Sequence, residues 1–277
     1  MKEHIINFFK GIIIGIANVI PGVSGGTMAV SMGIYENLVD VIGNFFHDFK
    51  KNFVKNMIFL IPLGLGAAFA IIAFSKLILF LLEDYAMQTQ FAFIGLILGS
   101  MPFIFKKSTE KGFKKSYIIP GIITFAIGVT LAVLQLMGVT GNPVESFDIN
   151  FVNIIILFVY GFISAASMIV PGISGSFILL LLGAYTAIMT AISTLNILVL
   201  IPFALGVALG IIACSKLIDY LLHKFYGYTY FAIIGFVIGS VPAIYPGFSF
   251  DLAGLTSIII MVLGFVASYF ITKYTNK

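Results

Sequence analysis

Two short runs of small and hydroxyl residues carry the chemistry this chain could do. The first is Pro21-Gly22-Val23-Ser24-Gly25-Gly26-Thr27, and the second, Pro171-Gly172-Ile173-Ser174-Gly175-Ser176, lies 150 residues later. Proline removes a backbone donor and glycine admits angles closed to other residues, so each run breaks a helix and frees amide groups. A helix end with free amides and a partial positive charge suits a phosphate or carboxylate. The hydroxyls of Ser24, Thr27, Ser174 and Ser176 add donors, and the glycines let an anion come close to the backbone. The plainer reading is a tight hairpin whose small residues pack against neighbouring helices. Repetition favours a binding role, because transporters built from two related halves place their sites where broken helices meet.

Charged residues inside apolar runs are the second group of candidates. Lys76 and Lys216 occupy matched Ser-Lys-Leu-Ile positions, away from the other lysines. A membrane-embedded charge faces a cavity or a partner, or else its head snorkels to the interface. Glu36 and Asp40 follow the first break, where either could meet a lysine; Glu36 is the candidate for proton coupling. Asp219, three residues after Lys216, reads as its ion-pair partner on one helix surface. His4, His47 and His223 show no metal-ligand spacing, and Cys214 is the only cysteine, which excludes an internal disulfide or thiolate cluster. No cofactor is expected. A Walker loop and a nucleophile elbow are missing, and the arginines expected of a membrane phosphatase are absent, so the chain does not read as an enzyme.

The elements that must hold these residues are membrane helices. The chain of 277 residues is 60% hydrophobic and 9% charged, with mean hydropathy +1.14. Soluble domains carry about 25% charged residues, so the expected class is an all-α integral membrane protein. The net charge of +4 does not imply a nucleic-acid partner, since the fifteen basic residues, all lysine, sit mostly in short loops. Ile5 to Ile20 resembles a signal peptide, but no small-residue cleavage site follows it and its break belongs to the repeat, so it is read as retained.

The repeat extends past the breaks. Leu60-Ile61-Pro62 through Lys76-Leu77-Ile78 matches Leu200-Ile201-Pro202 through Lys216-Leu217-Ile218, and Gly99-Ser100-Met101-Pro102 matches Gly239-Ser240-Val241-Pro242. Residues 1–277 thus read as one transmembrane domain of two repeats, 1–138 and 150–277. Apolar segments fall near 5–45 (interrupted), 57–82, 88–105, 117–138, 151–192 (interrupted), 198–222, 229–245 and 254–272. A spanning helix needs ~20 residues. Lysines flank the first interrupted segment on both sides, which makes it a re-entrant hairpin entered from the cytoplasm. Lys106 to Lys115 form a second basic loop, whereas residues 83–84 and 139–150 carry no lysine. Three further crossings per half place the second hairpin on the opposite face. The expected architecture is an inverted-topology repeat with two re-entrant helical hairpins, about six transmembrane helices and both termini cytoplasmic. Counting each interrupted segment as two full crossings leaves the inversion unchanged.

The doubled motif closely resembles that of a bacterial family of polyprenyl-phosphate transporters of the PopT type, formerly a domain-of-unknown-function family. The resemblance covers essentially the whole chain. It implies a flippase in the bacterial plasma membrane that moves undecaprenyl phosphate from the outer to the inner leaflet, recycling the lipid carrier for cell-wall synthesis. On that reading the phosphate is held by the turn amides, Ser24 and Ser174 while the tail stays in lipid; Lys76 and Lys216 join the site by the symmetry of the repeat, not by the resemblance. The second motif departs from the first at Ser176 and Phe177, so the two turns need not bind alike. Coupling to a proton or sodium gradient and assembly into a homo-oligomer are open. Two other readings also stand at this point: an ion-coupled transporter of a small soluble anion, and a membrane enzyme acting on polyprenyl phosphates.

Overall fold

A computed structural model describes residues 2–19, 24–45 and 49–275. Long apolar runs satisfy their backbone internally as helices, the economical solution in lipid, and no strand occurs among the described residues. The same series of six helices occurs twice. The first is α1 (Lys2–Val19), α2 (Gly25–Ser31), α3 (Tyr35–Gly43), α4 (Phe49–Asp84), α5 (Ala86–Ser108) and α6 (Ile118–Leu136). The second is α7 (Phe151–Ile169), α8 (Gly175–Leu181), α9 (Tyr185–Ser193), α10 (Ile197–Lys224), α11 (Tyr226–Gly239) and α12 (Leu252–Thr275).

Among the described residues, seven helices are long and apolar enough to cross a membrane. Six are the expected crossings; the seventh is α7, the entering arm of the second interrupted segment. α1 has similar length but carries Lys2, Glu3 and Lys10. Each interrupted segment holds three helices rather than two arms, because a second turn follows the first. It falls at Met32–Ile34 and Leu182–Ala184, where Gly33 (φ 67°) and Gly183 (φ 71°) take the left-handed conformation that side chains disfavour. In the second segment this turn bends α8 and α9 by 118°.

Packing interlocks the halves. Within each half the first helix lies on the fourth, α1 on α4 and α7 on α10, whereas the last helix crosses over, α6 onto α11 and α12 onto α5. Small residues permit the close approach. A methyl group added at Gly95 or Gly99 would stand 2.1 or 2.2 Å from a backbone oxygen of α12, and at Gly206 2.0 Å from that of Phe158 in α7. Gly64 of α4 differs, with nothing within 4 Å.

α5 and α11 form the centre, each 56% buried across its apolar window against 17–22% for the other five spans. Against α5 lies α2, buried from Gly26 through Ser31. The outer faces of α4, α6, α10 and α12 expose Ile72, Ile122, Leu198 and Leu263, as a lipid-facing surface does. The chain is a multi-pass membrane protein.

Candidate functional site

Pro21, Gly22 and Val23 lie outside the described residues, so the first turn is visible from Ser24 onward. The second is described throughout: Pro171 is fully buried, and Gly172 turns the chain with φ 85°. The two breaks touch. The Gly172 amide donates to the Thr27 hydroxyl at 2.7 Å, and Thr27 is 1% exposed. Nearby, the Tyr35 hydroxyl donates to the Ile169 carbonyl at 2.9 Å, and a methyl group added at Gly26 would meet the Met168 carbonyl at 3.1 Å. α2 and the start of α3 are thereby fastened to the end of α7 and the turn that follows it.

The remaining hydroxyls lie around this contact. Ser24 and Ser174 are the N-cap residues of α2 and α8, in extended conformation, and neither hydroxyl caps its helix. Ser24 is buried, while the Ser174 and Ser176 hydroxyls share a hydrogen bond of 2.9 Å at the protein's edge. Gly25 and Gly175 open the two helices. Each helix has only seven residues, so its aligned dipoles sum to less than those of a full span. Hydroxyls and turn amides are thus the main donors on offer. Ile173, Ser174 and Gly172 line a cavity of about 10 Å³ with Gln135 and Ser240, room for roughly one water. A phosphate would enter only if the turn moved.

The two lysines take different places from these turns. Lys76 belongs to α4, and its side chain lies outside the described residues. Lys216 is exposed on α10 and does not line the cavity. Its backbone is covered by Gly43 of α3, where an added methyl group would stand 2.6 Å from the Lys216 amide nitrogen. Asp219 does not pair with Lys216 as the helix spacing suggests. It lies 3.2 Å from His223 Nδ1 and accepts from Asn44 Nδ2 at 2.9 Å, since the next turn and α3 offer closer partners. Ser215, fully buried under α3, has the one buried side-chain hydroxyl without a hydrogen-bond partner among the described residues. An unpaired buried hydroxyl costs about 1–3 kcal/mol.

Glu36 sits in a network that the sequence does not reveal. Lys107 Nζ lies 2.5 Å from one carboxylate oxygen, and the Tyr230 hydroxyl donates to the other. Lys107 also stands 5.9 Å from the Tyr230 ring, and Lys111 stands 4.2 Å from the Tyr226 ring. Beside it a cleft of about 220 Å³ is lined by Glu36, Asp40, Asp219, Lys111, His223 and Tyr226. Glu36 is already paired with Lys107 there, and Asp40 and Asp219 face Lys111 and His223, so the cleft offers a phosphate no excess of positive charge.

Comparison with known proteins adds a family. The model of the VCA0040-like, undecaprenyl phosphate translocase-like family matches residues 14–251. A polyprenyl-phosphate transporter of Staphylococcus aureus is 32% identical over 281 residues, covering 98% of this chain and 97% of the relative. One of Vibrio cholerae is 32% identical over 255 residues, covering 88% and 78%. No solved structure matches.

Proposed function

Because this chain belongs to the VCA0040-like, undecaprenyl phosphate translocase-like family, we propose that it is a transporter of polyprenyl phosphate. In this reading it carries undecaprenyl phosphate from the outer to the inner leaflet of a bacterial plasma membrane. The observation that carries the site is the contact of the two breaks, Gly172 amide to Thr27 hydroxyl. Around it Ser24, Ser174 and Ser176 offer donors to a phosphate, while apolar outer faces leave the tail in lipid. The charged head is the part that cannot cross lipid unaided, so a site for the head alone suffices. Lys76 and Lys216 serve as outer and inner stations for its charge.

Residues 1–138 and 150–277 act as inverted halves, with both termini cytoplasmic. The contacts at the two ends of the bundle support this orientation. Lys111 and Glu110 meet Tyr226 at the lysine-rich end, and Gln88 meets Thr256 at the other. Glu36 holds Lys107 in the inner network and is the residue through which a proton would act on α3.

Leaflet-resolved movement of undecaprenyl phosphate in liposomes tests the site. Ser24→Ala and Ser174→Ala should each slow movement roughly ten- to a hundredfold, the loss of one charge-assisted hydrogen bond of about 1.5–3 kcal/mol. Lys76→Ala and Lys216→Ala should slow it less, through weaker capture. Four variants as fast as wild type would remove the site and leave the function standing. Release of inorganic phosphate from the lipid would instead mark an enzyme.

A further inference from the structure

The matched halves do not seat their third helices alike. α3 is pressed onto α10, with Gly43 against the backbone of Ser215 and Lys216. Its end is latched by Asn44, which donates to Asp219 and to its own Asp40 at 2.9 Å each. Its start is latched by Glu36, through Lys107 of α5 and Tyr230 of α11. The corresponding helix α9 packs on α8 and α10, its neighbours in sequence, and among the described residues has no comparable seat on α4. Where α3 has Glu36 and Asp40, α9 has Thr186 and Thr190.

Ser215 gives this asymmetry a direction. Its hydroxyl is fully buried and without a hydrogen-bond partner, on the turn of α10 whose backbone Gly43 of α3 covers. A helix seated on an unsatisfied donor, and held at both ends by polar latches, has a reason to leave and a means of staying. We infer that α3 is a gate on the lysine-rich side, shut in this structure, which swings off α10 to uncover Ser215 and the backbone at Lys216. α9 is its counterpart on the opposite side, and it takes a seat on α4 near Lys76 when α3 lifts. Two states that exchange one closed contact for the other give a carrier alternate access to the two leaflets. This deepens the transport reading and rests on it.

Accessibility judges the gate without any substrate. In a Cys214→Ala background, Ser215→Cys in inside-out vesicles is treated with a membrane-impermeant maleimide. The cysteine should react slowly, and roughly tenfold faster when Gly43→Val wedges α3 off its seat, as a shift in population requires. Equal rates with and without the wedge, fast or slow, would overturn the gate. Should the wedge variant not fold, a lock replaces it: Asn44→Cys with Asp219→Cys, joined by a short thiol crosslinker. The joined protein should stop moving undecaprenyl phosphate in liposomes, and cleaving the crosslink should restore movement. Movement undiminished by the lock also overturns the gate. If wild type moves no lipid phosphate, the transport reading fails while the labelling result still stands.

Discussion

Gly172→Ala should abolish movement of lipid phosphate and lower the melting temperature of the purified protein by several degrees. Two independent costs meet at this residue. Its φ of 85° places any side chain in the left-handed region, which costs about 1–2 kcal/mol. An added methyl group would also stand 2.5 Å from the Phe236 carbonyl oxygen, a backbone atom of the central α11 that cannot rotate away. Overpacking of that kind costs about 1–3 kcal/mol. The turn can relieve the clash only by withdrawing from α11, which pulls the Gly172 amide off Thr27. Gly112→Ala is the control, since its φ is 92° but nothing lies within 4 Å, so it bears the first cost alone. Equal melting temperatures for the two variants would refute the close approach to α11. Thr27→Val, which keeps shape and removes the acceptor, should reproduce much of the transport loss through the unpaired amide alone.

The second large effect is expected at Lys107. Lys107→Ala leaves the Glu36 carboxylate facing the protein with only the Tyr230 hydroxyl as donor. Stranding one partner of a fully buried pair costs about 3–5 kcal/mol. The Lys107 and Glu36 side chains are 24% and 32% exposed, so water recovers part of this and about 1–2 kcal/mol is the better expectation. Glu36→Gln removes the stranded charge, so the double variant Glu36→Gln, Lys107→Ala should be less destabilised than the sum of the single changes. Thermal unfolding in detergent gives the three values. Strict additivity would mean that the pair does not couple α3 to α5.

Much of the scaffold could be read from single residues and their spacing. Helix breaks announce themselves through Pro-Gly, and the duplicated blocks carry their own register, so the segments and the repeat were legible. The second turn of each broken segment has a signal in the sequence too, the doubled Gly33-Ile34-Tyr35 and Gly183-Ala184-Tyr185. Partnerships were not legible. Small residues at helical spacing mark a face for close packing without saying which helix fills it, so the exchange of α6 and α12 between halves stayed hidden. Glu36 lies 71 residues from Lys107 and 194 from Tyr230, a separation that no local pattern spans. Lys216 and Asp219 show the converse. A favourable spacing on one helix gave way to Asn44, brought in by tertiary packing.

The crossing of the last helices has a consequence for how the protein is made. α5 finishes at Ser108, but the helix it packs against, α12, finishes at Thr275. At roughly 5–20 residues per second, the central helix waits about 10–30 s for its partner to leave the ribosome. α5 spends that interval in the bilayer with the backbone of Gly95 and Gly99 unfilled on one side. The first half is therefore an unfinished object on its own, and insertion must end before the interior can close.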